Sequence, residues 1–133
     1  MTVFVDTSAL YATLDADDLN HGRASVQWRH LVEAQTPLVT TNYVMVETTA
    51  LLQHRIGIDA IRLFQEDVRP VLGIEWVTEA EHMAGMASVL AVGSRRLSLV
   101  DCVSFTAMRG RGIRDVFAFD QHFSEQGFTC LPG

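Results

Sequence analysis

Four acidic residues interrupt apolar stretches of the sequence, where a carboxylate is costly unless a cation or a hydrogen-bond donor meets it. Asp6 follows the run TVFV, Glu47 follows YVMV, Asp101 follows LSLV and Asp120 follows VFAF. Carboxylate oxygens are the ligands that hard cations such as Mg²⁺ or Mn²⁺ prefer, and no cluster of Cys or His competes for zinc. The four acids are therefore candidate ligands of a divalent metal ion.

Such acids repel one another when they share a pocket. Two carboxylates about 4 Å apart repel by roughly 4 kcal/mol at an effective dielectric of about 20. Protons or metal ions must therefore accompany them. Metal ions held by carboxylates lower the pKa of a bound water and orient it for attack on a phosphodiester. The spacing leaves open whether one or two ions bind.

Each acid also has a purely structural interpretation. Asp6 would cap the helix that follows it, and Asp101 would close a capping box with Ser98. Glu47 would pair with an arginine on a neighbouring turn, such as Arg55, and Asp120 would begin an ordinary turn. Four acids in apolar settings at strand ends and helix starts favour one shared site over four separate structural roles.

Strands that alternate with helices are needed to bring these acids together. Apolar runs predict strands at 2–6, 38–40, 74–77 and 116–119, with a fifth at 128–131. Helical spacing and capping signals predict helices at 8–14, 21–35, 42–55, 59–72, 78–92 and 98–110. This order predicts a three-layer α/β/α sandwich around a mainly parallel sheet of four or five strands. The carboxyl ends of parallel strands meet at one rim, where we expect all four acids.

Several other polar residues are predicted to lie outside the site. His54 and His122 are interpreted as surface or hydrogen-bonded histidines, and Asp115 precedes its strand and so belongs at the opposite end of the sheet. Thr7 and Ser8 are expected to cap the first helix or to contact metal-bound water. Cysteines with neither metal-site spacing nor a secretory context are expected to be reduced thiols rather than a disulfide or zinc ligands.

The chain has 133 residues, of which 48% are hydrophobic, a size that suits one domain covering 1–133. No apolar stretch reaches the roughly 18 residues of a membrane span, and the N-terminus lacks the basic start of a signal peptide. We therefore expect a cytoplasmic protein with no membrane partner.

The basic residues are all arginines. The chain has 10 of them against 16 acidic residues, a formal net charge of -6, which opposes nucleic-acid binding by the whole surface. Five arginines nevertheless fall within twenty residues, namely Arg95, Arg96, Arg109, Arg111 and Arg114. This cluster is interpreted either as a local patch for a phosphate backbone or as a solvated loop and helix end.

The four acidic motifs together resemble a PIN domain of the VapC-like toxin ribonuclease type. The matching segments are VFVDTSAL, TTNYVMVETTALL, LSLVDCVSF and VFAFDQHFSEQGF, and they cover nearly the whole chain in the family's order. One departure is Phe119, where a hydroxyl residue before the last aspartate is frequent. The order and spacing of the motifs, rather than any single one, make the resemblance specific.

The resemblance implies a ribonuclease that hydrolyses RNA phosphodiester bonds with Mg²⁺ or Mn²⁺. It implies metal ligands at Asp6, Glu47, Asp101 and Asp120, with Thr7 and Ser98 in supporting roles. The arginines, foremost Arg95 and Arg96, are the candidates for contacting the RNA. By the same resemblance the chain is expected to form a homodimer and to bind a cognate antitoxin protein whose tail blocks the site.

Other protein classes fit less well. Receiver-type regulators and P-loop ATPases both need a lysine, which the chain lacks, and a haloacid-dehalogenase-like phosphatase needs a second aspartate where Ser8 stands. The main alternative is a catalytically inactive PIN-like module that binds a partner protein or RNA. Acids at all four positions favour the nuclease, because degenerate members of the family are expected to lose one.

Overall fold

A computed structural model of the chain, which describes residues 1–133, contains five short strands that alternate with helices. The strands are β1 (Val3–Val5), β2 (Leu38–Thr41), β3 (Gly73–Glu75), β4 (Asp115–Phe117) and β5 (Thr129–Leu131). The helices are α1 (Thr7–Leu14), α2 (His21–Glu33), α3 (Asn42–Arg55), α4 (Ile58–Leu63), α5 (Glu79–Val92), α6 (Leu99–Gly110) and α7 (His122–Glu125). The fifth strand, which the sequence signals least strongly, is present.

The strands form one parallel sheet in the order β3-β2-β1-β4-β5. At its centre, Val3 of β1 lies opposite Leu38 on one side and Asp115 on the other, and Val5 lies opposite Phe117. A central strand with neighbours on both sides must be apolar along its whole length, and every residue of β1 is fully buried. The predicted α/β fold with a mainly parallel sheet of five strands is confirmed.

The helices pack in two groups. Helix α1 contacts α2 and α3, and α3 contacts α4, whereas α5 lies mainly against α6. The α5–α6 contact is close, and the absence of a side chain at Gly85 permits it. A Cβ atom at this position would lie only 2.6 Å from Cγ2 of Val103. The Ala/Gly/Met-rich middle of α5 predicts this close approach.

The predicted helix at 59–72 is wrong in its second half. Helix α4 ends at Leu63 and is followed by a five-residue π-helical turn (Phe64–Val68) and a 3₁₀ turn (Arg69–Val71). Pro70 has no backbone N–H and its ring clashes with the carbonyl group one turn earlier, so an α-helix cannot continue through it. The backbone N–H of Arg69 bonds instead to the carbonyl oxygen of Phe64.

The fourth strand is shorter than predicted. It ends at Phe117, and although the N–H of Ala118 still bonds to Leu131, the N–H of Phe119 turns to the side chain of Ser8. Asp120 therefore lies three residues beyond the strand, not directly at its end.

Two further findings concern the rest of the chain. Cys102 and Cys130 are both free thiols, as predicted, and burial raises the pKa of each. None of the helices combines the length and the apolar content that crossing a bilayer requires.

Candidate active site

Asp6 stands at the carboxyl end of β1 and is the N-cap of α1. Its Oδ2 atom accepts hydrogen bonds from the backbone N–H of Ser8 at 3.1 Å and from the Ser8 hydroxyl at 2.7 Å. Only 4% of Asp6 is exposed, and this burial raises the pKa of its carboxyl from 3.8 to about 7, against the opposing effect of the Ser8 hydrogen bonds. Of the two roles expected of Thr7 and Ser8, capping of α1 is wrong, because the helix begins at Thr7 and Asp6 is the cap, as its structural interpretation predicts. Contact with metal-bound water stays a prediction.

Ser8 also links Asp6 to the segment that precedes Asp120. Its Oγ atom accepts a 3.0 Å hydrogen bond from the backbone N–H of Phe119, the residue before Asp120. The departure at Phe119 does not remove this link, because the backbone rather than the side chain makes it. Sequence reasoning missed the role of Ser8, although an aspartate two residues before a serine is a recognisable turn signal.

Glu47 lies on the second turn of α3, beside Thr7. The Thr7 hydroxyl is 3.4 Å from the carbonyl oxygen of Val44, accepts a hydrogen bond from Thr48 at 3.1 Å, and lowers the pKa of Glu47 by hydrogen bonding. Burial dominates and raises the pKa of Glu47 overall.

The alternative partner of Glu47 is engaged elsewhere. The guanidinium of Arg55 lies 5.3 Å from the centre of the Tyr11 ring, and Glu47 forms no ion pair with any basic side chain. The interpretation of Glu47 as half of an arginine pair is therefore wrong. A half-buried glutamate without a basic partner is a candidate for contact with a cation.

Asp101 is on the first turn of α6, where it closes the predicted capping box with Ser98. The backbone N–H of Asp101 donates to Oγ of Ser98, and the backbone N–H of Ser98 donates to Oδ2 of Asp101, both at 3.1 Å. Burial raises the pKa of Asp101, the charge of Asp120 adds to this effect, and the hydrogen bonds from Ser98 oppose it.

Asp120 begins the short turn into α7. Its Oδ1 atom accepts a 2.9 Å hydrogen bond from the backbone N–H of His122, whose ring lies 3.4 Å from a carboxylate oxygen of Glu125. His122 is hydrogen-bonded, as predicted, but it also borders the site, because its charge lowers the pKa of Asp101.

The four acids interact electrostatically across the rim of the sheet. The charges of Asp101 and Asp120 raise the pKa of Asp6 and also that of Glu47. Three of the four carboxylates are anchored through one oxygen each by a backbone N–H at a helix start. The structural roles and the shared site thus coexist, since the second oxygen of each anchored carboxylate is left for a cation.

These side chains do not form a closed metal cage. No three His, Cys, Asp or Glu side chains lie close enough together to hold one ion between them. The chemistry of the donors nevertheless fits Mg²⁺, which keeps several waters and is usually held by only one or two carboxylates together with substrate phosphates. Four hard oxygen donors, three of them with raised pKa values and none paired with an arginine, suit an ion of this kind.

The five-arginine cluster is divided between the two ends of α6. Arg95 and Arg96 are exposed in the turn before the helix, and Arg96 borders a small polar pocket that also contains His122. At the other end, Arg111 pairs with two glutamates at 3.1 and 3.4 Å, and Arg109 bonds to Gln126. A single continuous basic patch is therefore absent, and the exposed pair precedes the helix start that carries Asp101.

Comparison with known proteins gives a family match over most of the chain. The model of the PIN domain matches residues 3–128. The 23S rRNA-specific endonuclease VapC20 of Mycobacterium tuberculosis is 36% identical over 134 aligned positions, which cover 96% of this chain and 95% of that protein.

Solved structures agree with this match. The crystal structure of Mycobacterium tuberculosis VapC20, described as a sarcin-ricin loop cleaving toxin, superimposes with a TM-score of 0.82 at 35% identity over 96% of both chains. The structure of FitAcB from Neisseria gonorrhoeae shares the fold, with a TM-score of 0.69 at 11% identity over 98% of this chain and 96% of that one. The extent of the family match, the identity and the common fold together establish that the chain belongs to the PIN domain family.

Proposed function

We propose that this chain is an endoribonuclease that depends on Mg²⁺ or Mn²⁺ and acts as the toxin of a toxin–antitoxin pair. The observation that carries the proposal is a group of four carboxylates, two of which raise the pKa values of the other two by their charge, and none of which pairs with an arginine. They are Asp6, Glu47, Asp101 and Asp120. Assembled like charges of this kind are unfavourable in the free protein and are stabilised by a divalent cation.

The chain's own residues contribute rigidity to this site. Asp6, Asp101 and Asp120 each have one carboxylate oxygen fixed by a hydrogen bond at a helix start, so that the second oxygen keeps a constant direction. Thr7 and Ser98 are the supporting residues, Thr7 beside Glu47 and Ser98 through its bonds with Asp101. The four carboxylates would hold a divalent ion, which when bound would supply activation of a water for attack on a phosphodiester and neutralisation of charge on the leaving oxygen.

The RNA substrate is assigned from the relatives. Because VapC20 carries the name of a 23S rRNA-specific endonuclease and is 36% identical over almost the whole chain, an RNA containing the sarcin-ricin loop is the first substrate to test. We assign contact with its phosphates to Arg95 and Arg96, which are exposed before α6. Ribosomal RNA as substrate would make the cytoplasm the place of action.

Two protein partners belong to the proposal. A cognate antitoxin is assigned because the chain is similar to a protein described as a toxin, and blocking the acidic rim is the simplest way to silence this enzyme. A homodimer is assigned by resemblance to VapC-like toxins. Co-purification of the toxin with the product of a neighbouring gene, followed by mass determination of the complex, tests both assignments.

The decisive experiment is cleavage of a sarcin-ricin loop RNA by the purified chain in Mg²⁺, in Mn²⁺ and in EDTA. Asp6→Asn is expected to abolish cleavage, as is EDTA. Asp115→Asn is the matched control, because Asp115 lies at the amino end of β4, on the rim of the sheet opposite the four acids. Equal cleavage by Asp6→Asn would point to a contaminating nuclease, and cleavage that persists in EDTA would refute the metal dependence. RNA binding without cleavage in either ion would favour the inactive PIN-like module.

A further inference from the structure

A pocket of about 500 Å³ opens on the side of α3 next to the acidic rim. One wall is the face of α3 that carries Val46 and Gln53, and the other is formed by Gln65, Arg69 and Trp76. Val46 and Glu47 are consecutive residues of α3, and Trp76 follows β3 at the same strand-end rim where Asp6 follows β1. Pockets of roughly 300 to 1,000 Å³ are large enough for small organic ligands.

Trp76 is the most unusual residue of this pocket. It follows the carboxyl end of β3, and 69% of it is exposed to solvent. The neighbouring backbone is held in place, because the N–H of Val77 donates a 2.7 Å hydrogen bond to the side chain of Asn42 at the start of α3. The indole is thus presented on a fixed backbone at the strand-end rim that also carries Asp6.

Three polar side chains of the pocket have no hydrogen-bond partner within the chain, whereas Asn42 and Thr49 are bonded. Gln53, Gln65 and Arg69 make no side-chain hydrogen bond, and Arg69 forms none of the ion pairs in the structure. No acidic residue lines the pocket, although the chain as a whole has a formal net charge of -6. An unpaired guanidinium and two free amides beside an exposed aromatic ring suit a ligand that is anionic, flat and rich in hydrogen-bonding edges.

We propose that this pocket binds one nucleotide of the RNA strand adjacent to the cleaved bond. Its base stacks on Trp76, its phosphate contacts Arg69, and the amides of Gln53 and Gln65 meet the edge of the base. Single-stranded RNA is commonly bound by stacking unpaired bases on aromatic side chains above a positively charged groove. The inference rests on the proposed ribonuclease function and adds a subsite to it.

The chemistry of the pocket favours RNA over a protein partner. A protein interface of this size would be expected to cover apolar groups at its centre and to leave charged groups at its rim. Here half of the ten lining residues are polar, and the single charge is positive. Burying Arg69 beneath a protein surface without an acidic partner would be costly, whereas an RNA phosphate supplies that partner.

The direct test uses Trp76 as its own reporter. The chain has two tryptophans, and Trp28→Phe leaves Trp76 as the only one. In EDTA, a mixed-sequence RNA hexamer is expected to quench the emission of Trp76, because a stacked base quenches indole fluorescence, and inorganic triphosphate is expected not to. Quenching by both ligands, or by neither, would overturn the stacking proposal.

Two substitutions test the energetics. Trp76→Ala is expected to weaken hexamer binding by about 5- to 100-fold, whereas Trp76→Phe, which keeps an aromatic face, is expected to stay within a few-fold of the parent. Arg69→Gln is expected to reduce the salt dependence of binding by about one phosphate contact. Equal binding by Trp76→Ala and Trp76→Phe would overturn the proposal, and unchanged thermal unfolding excludes misfolding as the cause.

The outcomes separate this subsite from the nuclease proposal. Cleavage of RNA without any response of Trp76 would refute the subsite and leave the nuclease standing. Quenching without cleavage in Mg²⁺ or Mn²⁺ would support the subsite and refute the nuclease. The emission of Trp76 could instead shift with protein concentration and not respond to RNA. That result would show that a second copy of the chain covers the pocket, and it would also overturn the subsite.

Discussion

The hydroxyl of Ser8 donates a 2.7 Å hydrogen bond to Oδ2 of Asp6. The same oxygen of Ser8 accepts a 3.0 Å hydrogen bond from the backbone N–H of Phe119. One small side chain therefore orients the first acid of the site and holds the segment that leads to the fourth. Because Asp6 is buried, the loss of this hydroxyl changes both a charge equilibrium and a loop position.

Ser8→Ala is expected to raise the pKa of Asp6 above its value of about 7, because the lost hydrogen bond stabilises the charged carboxylate. A hydrogen bond to a charged group contributes about 1.5 to 3 kcal/mol, so the expected rise is about one to two pH units. NMR titration of the carboxyl carbons in the metal-free chain measures it directly.

Ser8→Thr is the matched control, since it keeps a hydroxyl at the same position. We expect it to titrate close to the parent, and we expect the acid limb of the cleavage pH profile to move upward only in Ser8→Ala. Coincident titration curves for Ser8→Ala and the parent would show that the backbone N–H alone sets the ionisation of Asp6.

Burial of Asp6 makes the stability of the metal-free chain depend on pH. The pKa of Asp6 is 3.8 in its ordinary state and about 7 in the folded chain. Between these values the folded chain keeps a proton that the unfolded chain has released, so the free energy of unfolding falls as pH rises through this interval. At 1.36 kcal/mol for each pKa unit, the loss amounts to about 4 kcal/mol.

Asp6→Asn is expected to remove this dependence and to be more stable than the parent at pH 8 in EDTA, with a much smaller difference at pH 4. Urea unfolding of both chains at both pH values measures the change in the free energy of unfolding. The raised pKa values of Glu47 and Asp101 also make this free energy fall as pH rises, but they contribute to both chains, so the difference between variant and parent cancels them. Addition of Mg²⁺ at pH 8 is expected to stabilise the parent but not the variant. A stability difference that does not vary with pH would contradict this account.

The close approach of α5 and α6 makes a third prediction. Gly85→Ala places a methyl group 2.6 Å from Cγ2 of Val103 and 3.2 Å from Cδ1 of Leu99, so these side chains or the two helices must shift. Overpacking of this kind costs about 1 to 3 kcal/mol, which exceeds the gain of up to about 1 kcal/mol that alanine brings to a helix. Thermal unfolding is expected to show a net loss of stability of up to about 2 kcal/mol.

Gly22→Ala is the matched control, because it makes the same change in α2, where the new methyl group meets no atom within 4 Å. It is expected to be neutral or slightly stabilising. Because Ser98 caps α6 and Asp101 lies in its first turn, Gly85→Ala is also expected to reduce RNA cleavage. Equal unfolding temperatures for the two variants would mean that α5 moves away from α6 without cost.

Much of this arrangement is predictable because buried parallel strands and capped helices have strong local signals. The run Val3–Val5 is apolar throughout since both its neighbours are strands, and the Ser98 and Asp101 pair is readable because a capping box has fixed spacing. Right-handed connections then bring strand ends to one rim, so the gathering of the acids follows from topology.

The remaining features depend on contacts between distant parts of the chain. The end of β4 is set by Ser8, which captures the N–H of Phe119 from more than a hundred positions away. The engagement of Arg111 with Glu75 and Glu81 likewise depends on how α6 crosses its neighbours, so the sequence shows five close arginines but not which of them are free. The end of α4 is different, since Pro70 is a local signal that the apolar spacing of residues 59–72 obscures.

That division of the arginines leads to the fourth prediction. Arg95 and Arg96 are exposed and make no side-chain bond, and they stand before the helix that carries Asp101. If they contact phosphates, Arg95→Gln with Arg96→Gln is expected to weaken RNA binding more at low salt than at high salt. Each lost contact lowers the slope of log K against log salt by about 0.7 for a single strand, so the double variant is expected to lose about 1.4.

A matched double variant separates local contact from overall charge. Arg29→Gln with Arg114→Gln removes two exposed arginines elsewhere and gives the same formal net charge. Long-range attraction by the whole molecule would change the salt slope equally in both variants, whereas direct contact changes it only in the first. RNA binding measured in EDTA at several salt concentrations distinguishes the two cases. Equal salt slopes for the two double variants would reject Arg95 and Arg96 as phosphate ligands, because screening by salt acts alike on both variants.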